Sequence, residues 1–318
     1  MTSSSPTPSS PLAYREGVRL MACEGESLLG IVAEPRSPAH SDLGVVIVVG
    51  GPQYRAGSHR QFVHLARALA AAGTPTLRFD VRGMGDSTGA PRNFEAVGTD
   101  IAAAIDALQV QVPTVRQVVL WGLCDGASAA LLYLQERQDA RICGVALANP
   151  WVRSPVSQAR AQVKHYYTRR LREPAFWRKL VSGAVSPRAL GELFGALRRA
   201  RSHSTDAGGT GSDAAAPSNA RFQDRMLAGW TLRPRPALLL LSGDDYTARE
   251  FIEHAAIHPG WQAALVSAQT QRHELVGADH TFSNAEASQS VARLTATWLA
   301  SQAPQAAAGL AMTEQSLG

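Results

Sequence analysis

The chain has little cysteine, no long apolar run and no leader-like start, and each absence narrows what it can be. Three cysteines, Cys23, Cys124 and Cys143, are spread over 318 residues, too few and too scattered for a disulfide framework or the paired spacing of a zinc site. A reducing compartment is therefore expected. Residues 1–11 are rich in Ser, Thr and Pro with neither a basic start nor an apolar core, and no run approaches the roughly 18 apolar residues a membrane-spanning helix needs. These features read as a soluble, cytoplasmic protein. With 45% hydrophobic residues, the length suits one large α/β domain with an insertion.

What is present is rhythm. Residues 17–33 alternate around Glu24-Gly25-Glu26, the pattern of an antiparallel hairpin at a sheet edge. After it come short apolar runs at 45–49, 76–80, 118–121, 142–148 and 237–241, separated by helical stretches, as in a parallel sheet covered on both faces. Phe62, Leu65 and Leu69 share a helix face that ends at Gly73, and Ala287, Val291, Leu294 and Trp298 form a last amphipathic helix. The fold class is α/β, doubly wound. Residues 1–14 and 301–318 read as chain without stable structure.

Gly122-Leu123-Cys124-Asp125-Gly126 follows the run ending at Trp121 and precedes the helical Ala127-Ser128-Ala129-Ala130-Leu131-Leu132. A reactive side chain thus sits where a strand turns sharply into a helix: a nucleophile elbow with sulfur in the serine slot, its glycines allowing the two elements to cross closely. A free thiol is only a few per cent ionised at neutral pH, so Cys124 needs a base. Chain order supplies nucleophile, then acid, then histidine. His280, in Gly277-Ala278-Asp279-His280, lies before the last helix on a loop expected to return to the strand ends. The acid follows the strand at 237–241, where Asp244 and Asp245 are adjacent; Asp245 is favoured and Asp244 is the alternative, since only one can face the imidazole while the other faces solvent or caps the next helix. For a developing oxyanion, the donors expected are the backbone N–H of Asp125 and, because Pro52 has none, that of Gln53 in Gly50-Gly51-Pro52-Gln53.

Residues 152–203 interrupt the rhythm and read as helices capping the site. Between 152 and 201, twelve Lys or Arg face two acids, so all the positive excess of the chain is here. Arg169, Arg170 and Arg172 are the substrate-binding choices within it, placed to attract an anionic or carrier-linked substrate or a membrane surface in peripheral contact; a solvated helix face is the bland reading. Residues 204–221 form a Gly/Ser/Ala/Asp tract expected to be flexible. His254 and His258 stand four apart without a third ligand and read as ordinary histidines, and Cys143 as a buried strand residue. No metal, cofactor or nucleic acid is expected.

Together the elbow, the Gly50-Gly51-Pro52-Gln53 loop, Asp80-Val81-Arg82-Gly83-Met84-Gly85-Asp86-Ser87 and the Asp-His pair resemble the α/β-hydrolase superfamily over about residues 15–300. More narrowly, residues 50–62, 78–89, the elbow and Asn149-Pro150-Trp151-Val152-Arg153 are similar to the type 1 hydrolases associated with bacterial exosortase systems, which are tied to exopolysaccharide gene clusters. The resemblance implies a mostly parallel sheet of about eight strands with a helical cap, and hydrolysis of an ester-like bond in a small acyl substrate. A cysteine in place of the common serine departs from the pattern and directs the expectation toward thioesters, or toward acyl transfer from the same acyl-Cys intermediate. A catalytically silent binding module with a basic cap is the reading from a different class.

Overall fold

The computed structural model describes residues 13–37, 42–51, 53–153 and 221–315, with side chains described through residue 302. All the elements below belong to one compact unit, made of the chain up to Val152 and from Ala220 onward. Strands β1 (Tyr14–Cys23) and β2 (Glu26–Pro35) form the expected hairpin. Its two-residue turn puts Glu24 at φ 48° and Gly25 at φ 83°, and the twist of such a turn matches that of the strands it joins.

From β3 (Leu43–Val48) onward the chain alternates. Helix α1 (Gln61–Ala71) leads to β4 (Thr76–Phe79), α2 (Gly98–Gln111) to β5 (Gln117–Leu123), and α3 (Asp125–Arg137) to β6 (Ile142–Ala148). Helix α4 (Phe222–Thr231) precedes β7 (Ala237–Ser242), and α5 (Tyr246–Ile257) and α6 (Pro259–Val266) precede β8 (Thr270–Leu275). The eight strands form one sheet in the order β1-β2-β4-β3-β5-β6-β7-β8. Only the pairs β1/β2 and β2/β4 are antiparallel; the other five ladders are parallel.

Strands β3, β5, β6 and β7 are covered on both faces, which explains their near-continuous apolar runs. Val46, Val48, Leu120, Leu147 and Leu239 face a core closed by α2 and α3, whereas Val45, Ile47, Trp121, Ala146 and Leu238 face one closed by α1 and the last helix. Strict alternation within each strand delivers neighbouring residues to opposite cores. β8 is different: its side chains are half-buried or exposed along its whole length, as suits an edge strand whose outer side meets water.

The last helix, α7 (Ala285–Gln315), continues beyond residue 300, into the tail that composition reads as unstructured. Alanines at 306, 307, 308 and 311 supply high intrinsic helix propensity there. The expected cap over 152–203, with Arg169, Arg170 and Arg172, and the expected flexible tract over 204–221 lie outside the described residues except at their ends. Among the described residues, no helix is long and apolar enough to cross a membrane.

Candidate active site

One residue, Cys124, separates β5 from α3. It has φ 59° and ψ −125°, a sparsely populated conformation for a residue with a side chain, costing on the order of 1–3 kcal/mol. Backbone hydrogen bonds impose it: Cys124 N–H donates to the Ala148 carbonyl at 2.9 Å, and its own carbonyl accepts from the N–H groups of Ala127, Ser128 and Trp151 at 3.1, 3.3 and 3.2 Å. Its neighbours have no room for a side chain. A Cβ on Gly122 would sit 2.5 Å from the Ala127 nitrogen, and one on Gly126 would strike the Val48 carbonyl. The strand-to-helix crossing therefore needs glycine at both positions, and it leaves the Cys124 thiol partly exposed.

Asp245 follows β7 and is buried. It is the N-cap of α5, accepting from Thr247 N–H at 3.1 Å on Oδ1 and from Ala248 N–H at 3.0 Å on Oδ2. The same Oδ2 lies 2.8 Å from His280 Nδ1. Capping and imidazole contact, which the sequence reading divides between two aspartates, thus fall on one; Asp244 is exposed, with its N–H donating to the Ala278 carbonyl at 3.0 Å. Burial alone would push the Asp245 carboxyl up, but the hydrogen bond and charge of His280, with the two helix amides, hold it below its ordinary value. Since the carboxylate can only accept, Nδ1 donates to Asp245 and Nε2 is left for the second proton of the imidazolium. His280 is pushed up to about 10, first by its hydrogen bond to Asp245 and then by one to Cys124, against burial. Cys124, His280 and Asp245 are thereby brought together.

His280 sits on the loop after β8, and a buried asparagine at the end of β6 fixes that loop. Asn149 Nδ2 donates to the His280 carbonyl at 3.0 Å and to Ser242 Oγ at 2.8 Å, while Asn149 Oδ1 accepts from Ser242 N–H at 2.8 Å. Ser242 Oγ in turn donates to the Asp279 carbonyl at 2.7 Å. Asn149 adopts φ 44°, a conformation asparagine tolerates better than most residues. This knot ties the ends of β6 and β7 to the histidine loop, and the sequence reading misses it; an asparagine directly ending an apolar strand is the signal it offers.

The loop after β3 packs against the elbow at Gly50 and Gly51. Gln53 is half-buried, its side-chain carbonyl accepting from Gln61 Nε2 at 3.3 Å. Farther along, Arg55 N–H donates to Asp80 Oδ1 at 2.6 Å and its guanidinium pairs with Asp80 and Asp86, so the loops after β3 and β4 are held as one body. The Asp125 carboxyl folds against Gly50 rather than into solvent. Away from the site, the rings of His254 and His258 lie with centroids 4.3 Å apart, tilted by 43°, and burial with the neighbouring imidazole lowers His254 to about 4. Cys143, expected as a buried strand residue, is half-buried; burial still pushes its thiol up to about 12, and its Sγ lies 3.6 Å from the Val118 carbonyl.

Comparison with known proteins agrees with this architecture. Over 141 residues the chain is 32% identical to human protein ABHD12B, an alignment covering 42% of this chain and 38% of that protein, so it spans well under half the length of that relative. Among solved structures, the Pyrococcus furiosus esterase Pf2001 superposes with a TM-score of 0.59 at 17% identity, covering 92% of each chain. XC6422 of Xanthomonas campestris, described as an a/b serine hydrolase without lid, gives 0.55 at 13% identity over 94% of this chain and 99% of that one. Est1E of Butyrivibrio proteoclasticus, solved with ferulic acid, gives 0.55 at 14% identity, covering 89% and 99%. At such identities the likeness is one of fold. The description of the alpha/beta hydrolase family matches residues 45–294, from within β3 to within α7; that stretch takes in the elbow and both loops that meet it, and the chain belongs to the alpha/beta hydrolase family.

Proposed function

We propose that the protein hydrolyses ester or thioester bonds through an acyl intermediate on Cys124, with His280 as the base and Asp245 orienting it. The observation that carries this reading is the 2.8 Å contact between Asp245 Oδ2 and His280 Nδ1, on an imidazole that Asp245 and then Cys124 push up to about 10. In the first half-reaction His280, raised to about 10, holds the thiol's proton on Nε2 as imidazolium, and sulfur attacks the carbonyl carbon, whose C=O electrons move onto oxygen. Collapse of that oxyanion expels the alcohol or thiol, which takes the proton back from His280. Water then repeats the sequence on the acyl-Cys124 and releases the acid. The backbone N–H groups of Asp125 and Gln53 are the donors assigned to the oxyanion. Asp245 holds the tautomer and stabilises the imidazolium.

Thioesters are the favoured class, because a thiolate exchanges readily with another thiolate as leaving group. An alcohol can intercept the same intermediate where water is excluded, so acyl transfer to a hydroxyl shares every step but the last. The positive charge at Arg169, Arg170 and Arg172 favours an anionic or carrier-linked acyl substrate. The likeness of residues 50–62, 78–89 and 149–153 to exosortase-associated type 1 hydrolases supports a role linked to exopolysaccharide metabolism without naming the substrate, and three free cysteines fit a reducing cytoplasm.

Intact-mass spectrometry after exposure to a panel of acyl thioesters and aryl esters tests the reading. A single acyl adduct is expected on the native chain and none on Cys124→Ala. An adduct that persists in Cys124→Ala sinks the nucleophile assignment, and no adduct with any ester, together with alkylation of Cys124 no faster than a free thiol, leaves the silent binding module. Product analysis with an added alcohol separates hydrolysis from transfer.

A further inference from the structure

Asp125 carries a carboxyl that the reaction above leaves unused, and its placement is unusual. It is the first residue of α3, yet its side chain folds back toward the end of β3. A Cβ on Gly50 would overlap Asp125 Oδ1 and the Gly126 nitrogen, so the carboxyl lies directly over the Gly50 Cα, wedged between the elbow and the loop assigned to the oxyanion. Oδ1 is buried and has no hydrogen-bond partner among the described residues. The groups that face it are few. The loop after β3 presents the Gly51 N–H, the elbow presents the N–H groups of Asp125 and Gly126, and the loop after β8 brings the charge of His280. Burial outweighs these stabilising influences and pushes the carboxyl up from its ordinary value.

We propose that Asp125 is a charge-controlled brake on acylation of Cys124: ionised, its carboxylate sets a negative charge beside the amide that receives the oxyanion; neutral, it lifts that opposition. The proposal rests on the acyl-Cys124 reading. Its physical basis is that the oxyanion would form beside a carboxylate whose Oδ1 is buried over Gly50, where like charges repel. The brake also selects substrates. An alkyl ester, whose alkoxide leaves more reluctantly than the attacking thiolate, reaches its transition state with the oxyanion fully formed and feels the repulsion in full. A thioester or aryl ester reaches it with less charge on oxygen. Asp125 thus biases the site toward thioesters and aryl esters and against alkyl esters.

The test compares the full native chain with Asp125→Asn, which keeps the shape, and with Asp125→Ser should the asparagine variant fold poorly. Acylation of Cys124 by an aryl ester and by an alkyl ester is followed by mass from about pH 4 to about pH 9. Taking the ratio of variant to native rates cancels every titration the two proteins share, and the shift of His280, which they do not share, is measured separately and divided out. The ratio should be near one at the acid end and rise with pH to on the order of tenfold, more for the alkyl ester. A ratio that stays at one, or lies below one throughout, overturns the proposal. A second readout needs no turnover: the NMR titration midpoint of His280 should fall in Asp125→Asn, because the carboxylate's charge supports the imidazolium, and an unchanged midpoint overturns the proposal as well. If no ester or thioester labels Cys124 in any form, the functional reading fails, and the His280 midpoint still decides whether Asp125 puts charge into the site.

Discussion

Two groups of charged side chains lie beyond the strand ends of this sheet, and they are finished differently. Around Arg82, after β4, every arm is occupied: its N–H and Nε donate to Asp100 at 2.8 and 2.7 Å, and its terminal nitrogens reach Glu24 and Thr99. Cys23 Sγ adds a further contact to Asp100 at 3.5 Å. Arg82 and Asp100 are both buried, and the guanidinium is held above its ordinary value against burial by these acids. Around Cys124 the pairing is incomplete. His280 keeps a third of its side chain exposed, the thiol is partly open, and Asp125 Oδ1 has no partner among the described residues. A fully satisfied cluster rigidifies the hairpin tip and the start of α2; an unsatisfied one leaves capacity for a reacting group. Sequence proximity to charge does not distinguish the two, whereas completeness of pairing does.

The sharpest way to test that contrast is to remove the central atom of each cluster. Cys124→Ala should lower acyl turnover by roughly 10⁴-fold or more while leaving urea unfolding within about 0.5 kcal/mol of the native chain. Asp245→Asn follows, with a loss of roughly 10³- to 10⁴-fold. Asparagine caps a helix about as well as aspartate, so α5 should survive and the loss reports the imidazole contact. The titration midpoint of His280, which Asp245 and Cys124 push up to about 10, should drop toward the ordinary value near 6.5. The sign of the stability effect follows. A histidine whose value is raised on folding stabilises fully below about pH 6.5, and that contribution drains away as pH rises toward about 10. Native and Asp245→Asn unfolding curves should therefore converge over that window from the His280 side. The Asp245 carboxyl, lowered on folding, adds stability present above its ordinary value and lost as pH falls below it. Curves that run parallel from neutral to alkaline pH would break the link.

Asp100→Ala addresses the other cluster and should invert the pattern. Removing one buried partner strands the Arg82 charge, a change of about 3–5 kcal/mol in unfolding free energy, while acylation per folded molecule stays within about threefold. A large kinetic loss with little change in stability would mean that the Arg82 cluster belongs to the site, and the distinction between finished and unfinished pairing would fall.

What could be read from the sequence follows the range of the interactions. The elbow is local: five residues, Gly122 to Gly126, encode the turn, and the runs on either side identify strand and helix. The hairpin at Glu24-Gly25 and the covered strands β3 and β5–β7 are legible for the same reason, as period and turn chemistry act over a few residues. Asn149 is not, because its role exists only once β6, β7 and the loop after β8 have converged, and a lone asparagine carries no record of partners 93 and 131 residues away. Nor is the inward turn of Asp125, which depends on Gly50 passing beneath it. Asp245 is legible in position but not in its double duty, since a sequence shows two adjacent carboxylates and not which one the helix start pulls inward.

That last ambiguity yields the smallest expected effect and a clean discrimination. Asp244 and Asp245 have the same chemistry and differ by one residue in a turn that alternates the direction of side chains. Asp245 caps α5 and meets His280; Asp244 is exposed, and its N–H donates to the Ala278 carbonyl at 3.0 Å. Alanine at 244 keeps that N–H, so Asp244→Ala should change unfolding free energy by less than about 0.5 kcal/mol and turnover by less than about twofold. The loop after β8 would still be fastened through Ala278, Asn149 and Ser242. Should Asp244→Ala instead match the loss seen in Asp245→Asn, with the His280 midpoint falling alike in both, the imidazole must draw on the two carboxylates together, and exposure at this strand end would no longer separate a bystander from a participant.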